Sequence, residues 1–138
     1  MSCIFCRIVS GEIPCHRVFA DDHVLAFLDV TPLERGHVLV IPREHHTLFE
    51  ELPDATRTAL ATAAARIAAS VCAVTGATAT TLAMNNGKAA GQEVPHCHLH
   101  VIPRRDGDGG GPIHALFSGR ASASDLAELA GKLREAVK

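Results

Sequence analysis

The run His96-Cys97-His98-Leu99-His100-Val101-Ile102 constrains this chain more than any other segment. Imidazoles recur at every second position, and the residues between and after them are apolar. Successive side chains of a β-strand point to opposite faces, so this period predicts a strand with three rings in one row and Cys97, Leu99 and Val101 turned into the core. Neutral imidazole can ligate metal, accept a proton or attack an electrophile near pH 7, so such a row carries chemistry. The plainer reading is a polar stripe on an edge strand, and the wholly apolar opposite face argues against it.

With 138 residues, of which 47% are hydrophobic, the chain is expected to form one domain over 1–138 with a real core. A net charge of -2 with mixed signs throughout offers no basic stripe for duplex or single-stranded nucleic acid. The start Met1-Ser2-Cys3-Ile4-Phe5-Cys6-Arg7 lacks the pattern of a signal peptide, and no apolar run reads as a membrane span. Five cysteines, at 3, 6, 15, 72 and 97, do not make a disulfide framework. The expectation is a cytoplasmic protein with reduced thiols and no membrane partner.

Short apolar runs at 16–20 and 24–28 flank the polar connection Asp21-Asp22-His23 and predict a hairpin. The run 37–41 reads as a buried strand stopped by Pro42. A helix is expected from Pro53, with Leu60, Ala63, Ala64, Ile67, Val71 and Val74 in one stripe and Gly76 as its stop. Strands at 80–84 and 96–102 follow, separated by a polar connector from Asn85 to Pro95. Beyond a glycine-rich stretch, Leu126, Leu129, Leu133 and Val137 mark a final helix, with Glu128 as a capping partner for Asp125. Strands that do not alternate with helices argue for an α+β fold, a mostly antiparallel sheet with helices on one face.

The histidine run resembles the signature of the histidine-triad (HIT) nucleotide-binding family. Cys3-Ile4-Phe5-Cys6-Arg7-Ile8, Gly11-Glu12-Ile13-Pro14, Ala26-Phe27-Leu28-Asp29, Gly36-His37-Val38-Leu39-Val40-Ile41-Pro42 and Asn85-Asn86-Gly87 with Gly91-Gln92 match in type and order. The resemblance covers roughly residues 3–104 and leaves 104–138 as a variable C-terminal loop and helix. It implies a five-stranded sheet with two helices and a homodimer with a continuous ten-stranded sheet. It also implies a hydrolase that cleaves a purine nucleoside 5'-monophosphate from an amine or similar leaving group.

On that resemblance His98 is the nucleophile, His100 holds phosphate oxygens and His96 assists the leaving group. The chemistry fits, because a neutral imidazole that forms a nucleotidyl intermediate splits one hard displacement into two easier ones. Its other ring nitrogen needs an acceptor, such as a backbone carbonyl, so that the attacking nitrogen is unprotonated. Asp29 matches the ribose ligand, although a turn-forming Asp is the alternative. Phe5, Ile8, Phe27 and Val30 match the apolar purine slot, although each could be plain core. Asn85, Gly91 and Gln92 match a phosphate-facing loop. Glu93 departs from the pattern, because better-studied members often carry Ser or Thr there and a carboxylate repels phosphate.

Cys3 and Cys6, spaced Cys-x-x-Cys, can form half of a tetrahedral zinc site. The resemblance completes it with His45 and His96, which makes the zinc structural and sets His96 as a ligand before a proton donor. His46 is the neighbour that could be mistaken for His45, and His16, His23, His37 and His114 read as ordinary surface or core residues. Three other readings stay open. One is cleavage of dinucleoside polyphosphates, disfavoured by the absence of Trp and Tyr for stacking a second base. Another is a β-barrel hydrolase whose histidine row binds a catalytic metal, and the last is a nucleotide-binding scaffold.

Overall fold

Residues 3–137 are described by a computed structural model, in which the chain divides between Asp108 and Gly109 into two units. In the first unit a short helix α1 (Ile4–Val9) precedes β1 (Arg17–Ala20), β2 (Val24–Leu28) and β3 (Val38–Pro42). The long helix α2 (Asp54–Thr75) follows, then β4 (Ala79–Ala83) and β5 (Leu99–Arg104). The strands form one sheet in the order β1-β2-β3-β5-β4, and every neighbouring pair is antiparallel.

Alternation along β2 and β3 gives the sheet two apolar faces. Val24, Ala26, Val38 and Val40, with Cys97 and Val101, meet Leu60, Ala63, Ala64, Ile67 and Val71 of α2. Leu25, Phe27, Leu39 and Ile41 meet Phe5 of α1 on the other side, with Ile8 packed against them. Burial on both faces explains why β3 reads as a continuous apolar run and not as an alternating one. Asp21 sets the β1–β2 turn, its Oδ1 accepting from the N–H groups of His23 and Val24, each at 2.8 Å.

Several expectations change. The helix α1 was not foreseen, since six residues are too few for a periodic signal. Val74 leaves the α2 stripe and is 77% exposed. With a mean hydropathy of 1.5 over its apolar window, α2 is also long and apolar enough to cross a membrane, contrary to the expectation of no such run. Its buried stripe on the sheet is what a core helix requires. Residues 104–108 belong with the first unit, where Arg104 closes β5 and its Nε donates to Asp108 at 2.7 Å.

The second unit contains a 3-10 turn at Ile113–Leu116 and the helix α3 (Leu126–Ala136). The apolar side chains Leu126, Leu129 and Leu133 of α3 are about half exposed. Asp125 makes no side-chain cap, and Glu128 pairs with Lys132 at 3.1 Å instead of serving as a capping partner.

Candidate active site and metal-ligand cluster

At the end of β3, Pro42 has no N–H for the ladder, and its carbonyl accepts the Nε2–H of His96 at 2.8 Å. The N–H of Cys97 turns away as well, donating to the His46 carbonyl at 2.7 Å. The run therefore enters β5 only at Leu99, so His96 sits in a bend and His98 in the irregular segment after it. This corrects the expectation of a strand from His96 onward. The alternation itself survives, because Cys97 and Val101 are buried toward α2 with Leu99 against them. His98 and His100 line a cavity on the α1 side.

His98 is 8% exposed, and its Nδ1–H donates to the carbonyl of His96 at 2.7 Å. A carbonyl can only accept, so in the neutral ring the proton sits on Nδ1 and the lone pair is on Nε2. The Phe5 ring packs edge-on against this imidazole with centroids 5.2 Å apart, which restrains its rotation.

His100 is ordered through a residue that sequence reading set aside. The Leu33 N–H donates to His37 Nδ1 at 3.1 Å, so the His37 proton lies on Nε2. That Nε2–H in turn donates to His100 Nδ1 at 2.9 Å. His100 is left with its own proton on Nε2, as a hydrogen-bond donor. Burial, with His98 and His37 beside it, pushes the His100 pKa down to about 4 and keeps the ring neutral. Burial also lowers the pKa of His37, partly offset by the Asp29 carboxylate, whose Oδ2 lies 3.7 Å from His37 Nε2. The sequence carries only the period of two, and the strand pairing comes from the structure. His37 precedes Leu39 by two residues, and Leu39 pairs with His100 across β3 and β5, so both imidazoles share a face.

The cavity beside these rings has a volume of about 480 Å³. Of the residues that match the family's nucleotide site, Phe5, Ile8, Phe27, Asp29, Val30, Asn85 and Gly91 line it, and Gln92 does not. Phe5 and Phe27 serve both as core and as wall, being 6% and 4% exposed, whereas Val30 is 79% exposed and belongs to no core. Asp29 Oδ1 accepts from the Thr31 N–H at 2.9 Å and from its hydroxyl at 3.2 Å. The Gln92 side chain is consumed in bracing its own loop. Its Oε1 accepts from the Gly87 N–H at 2.8 Å, and its Nε2 donates to the carbonyls of Thr47 and Val94 at 2.8 and 3.1 Å. The N–H groups of Ala90, Gly91 and Gln92 also bond within the loop. Among the connector residues predicted to face phosphate, the amide of Asn85 stays free, with no hydrogen-bond partner among the described residues.

A second constellation lies next to the triad. Single ligand atoms from Cys3, Cys6, His45 and His96 fall within 4.8 Å of one another. Zinc bonds of about 2.3 Å to sulfur and 2.0–2.1 Å to nitrogen would set those atoms about 3.6 Å apart around a tetrahedral ion. Cys3 Sγ and Cys6 Sγ lie 3.5 and 3.6 Å from His96 Nδ1, and Cys6 Sγ lies 3.3 Å from His45 Nδ1. The donor set therefore fits zinc, with the His96 Nε2–H bond to Pro42 fixing the tautomer as an outer-shell contact should. His46 is outside the cluster and lies 3.6 Å from Glu44. The Nε2–H of His96 is thus held by Pro42, and its Nδ1 faces the two thiols.

The row does not converge on one metal. His96 belongs to this cluster, His100 falls in a separate group with Asp29 and His37, and His98 belongs to neither among the described residues. Together with the helix-backed antiparallel sheet, this sets aside the barrel with a catalytic metal on the histidine row.

Residues 10–107 match the family model described as the HIT domain. An adenosine 5'-monophosphoramidase of Schizosaccharomyces pombe is 39% identical over 104 residues, covering 75% of this chain and 75% of that protein. A protein of Arabidopsis thaliana named adenylylsulfatase is 41% identical over 106 residues, covering 77% of this chain and 54% of the relative. The crystal structure of a HIT-family member from Bacillus subtilis superposes with a TM-score of 0.88 at 34% identity, over 100% of this chain and 99% of that one. A zinc-bound histidine triad family protein from Mycobacterium smegmatis gives a TM-score of 0.75 at 38% identity, over 99% of each chain.

Proposed function

Because this chain belongs to the HIT family, whose relatives include nucleotide hydrolases, we propose that it releases a purine nucleoside 5'-monophosphate from an amine or similar leaving group. The observation that carries this reading is the pair of oppositely ordered rings, with a lone pair on His98 Nε2 and a proton on His100 Nε2. His98 Nε2 attacks phosphorus while the bond from phosphorus to the leaving group breaks. His100 Nε2–H donates to a phosphoryl oxygen as charge grows there. The departing nitrogen takes up a proton from water at the open cavity, since the His96 ring donates to Pro42 and faces the two thiols. Water then hydrolyses the nucleotidyl–His98 bond, freeing the monophosphate and restoring the neutral ring.

The purine lies against Phe5, Ile8, Phe27 and Val30, the ribose hydroxyls on Asp29, and Asn85 with Gly91 near the phosphate. Cys3, Cys6, His45 and His96 hold a structural zinc ion, which when bound ties α1 and the loop after β3 to the bend that precedes His98. The protein works in the cytoplasm, where its five free thiols stay reduced. It acts as a homodimer with a continuous ten-stranded sheet, since short sheets with open edges are completed by pairing. Light scattering at assay concentration checks the dimer, and a monomer there overturns it.

The decisive experiment is trapping. Incubation with an adenosine phosphoramidate, an acid-free quench and peptide mass spectrometry should find an adenylyl adduct on the peptide containing His98. His98→Ala should abolish both adduct and turnover while nucleotide affinity stays within about tenfold. Near wild-type turnover in that variant refutes the mechanism.

A further inference from the structure

Glu93 is the one departure from the family pattern noted in the sequence, and it lies in the cavity wall. It lines the same cavity as His98 and His100 and is exposed there, and its carboxylate has no hydrogen bond or ion pair among the described residues. The other acidic residue of the cavity wall, Asp29, is already held by Thr31 and faces His37. Among the described residues no lysine or arginine lines the cavity. His100, the nearby ring donor, is neutral.

This charge pattern discriminates between leaving groups. The single negative charge of a nucleoside monophosphoryl group can be met by neutral donors. A leaving group that adds further anionic charge, such as sulfate or a polyphosphate, finds no cation to offset it and a free carboxylate to repel it. A leaving group that ends in an ammonium meets a carboxylate with no competing partner. We propose that Glu93 selects the leaving group, and that the preferred substrates are nucleoside phosphoramidates of amines bearing a second, positively charged amino group. This rests on the phosphoramidase reading above and specifies its substrate class. Glu93 touches the leaving group and takes no part in bond making.

The test uses three adenosine 5'-phosphoramidates of nearly equal length, made from 1,3-diaminopropane, butylamine and 4-aminobutyrate. Each protein serves as its own control, because only ratios of kcat/KM within one protein are compared. The wild type should prefer the ammonium-ended substrate to the butyl one by about two- to fivefold, the range of an exposed ion pair, with the carboxylate-ended one slowest. Raising salt should shrink the preference. Glu93→Gln should bring the ammonium-to-butyl ratio close to one, and Glu93→Lys should invert the order of the charged pair. A ratio in Glu93→Gln equal to that of the wild type overturns the proposal.

Binding separates this claim from the one beneath it. The 3-aminopropyl and butyl phosphodiesters of adenosine 5'-monophosphate resist attack, and their dissociation constants should show the same preference in the wild type and its loss in Glu93→Gln. If no phosphoramidate is turned over but this binding preference holds, the phosphoramidase reading fails and the role of Glu93 stands. If phosphoramidates are turned over without regard to charge, the reverse is true.

Discussion

His37 offers the sharpest test of how the site is ordered, because its two ring nitrogens have separable jobs. Nδ1 accepts from the Leu33 N–H at 3.1 Å and so anchors the loop before β3, while Nε2–H donates to His100 at 2.9 Å. An asparagine can present an oxygen near the first position but no donor near the second. A glutamine can present a donor near the second and loses the first. Leaving the buried Nδ1 of His100 without its donor costs about 1–3 kcal/mol, and the ring escapes that cost by moving its proton from Nε2 to Nδ1. The proton aimed at the phosphoryl oxygen is then lost. His37→Asn should therefore lower kcat by about 5- to 150-fold with little change in KM, since each 1.4 kcal/mol is a tenfold effect. His37→Gln should stay within about fivefold of wild type in kcat, while losing about 1 kcal/mol of stability from the unmet Leu33 N–H. Steady-state kinetics with thermal unfolding reads both effects, and ¹⁵N shifts of His100 report its tautomer directly. Equal losses of kcat in the two variants, or an unchanged His100 tautomer in His37→Asn, would refute the proton-ordering role.

Other outcomes follow from the same geometry. Cys6→Ala should drop zinc from near one per chain toward zero by elemental analysis. A metal at about a thousand times its Kd contributes about 4 kcal/mol, so Tm should fall by about 8–16 °C, whereas full zinc retention would reject the four-residue site. His100 has a folded pKa of about 4, below its ordinary 6.5, so the stability gained from keeping it neutral is intact above pH 6.5 and is lost as pH falls toward 4. An NMR titration should place its midpoint near 4, and a midpoint near 6.5 would contradict its burial. Asp29→Asn keeps an oxygen for Thr31 but removes charge from the ribose side, so the preference for ribo- over 2'-deoxyribonucleotides should fall several-fold at nearly constant fold stability.

Much of the fold was legible because it follows from periodicity. The alternation at 96–102, the continuous run at 37–41 and the spaced stripe of α2 each name a face, and these faces meet as expected. What escaped depends on contacts distant in sequence. The start of β5 is set by Pro42, whose missing N–H and occupied carbonyl end the ladder, and this pairing is invisible without knowing which strand lies alongside. The α1 helix is too short to announce itself and exists through Phe5, buried under the sheet. The four residues of the metal-ligand cluster were legible only through resemblance, since positions 3 and 96 share nothing local. Within the connector, Gln92 has the right chemistry for phosphate and spends it on Thr47, Val94 and Gly87.

The bend at His96 also bears on how the three-histidine signature is understood. Its side chain faces the two thiols, and its main-chain oxygen accepts from the His98 ring. On the proposed mechanism, two members of the motif act through their rings and the third through its peptide group. On that mechanism the chemistry in the pocket depends on the path of the backbone beneath His98, and loss of turnover on changing position 96 would be read as a displaced carbonyl and not as a missing acid.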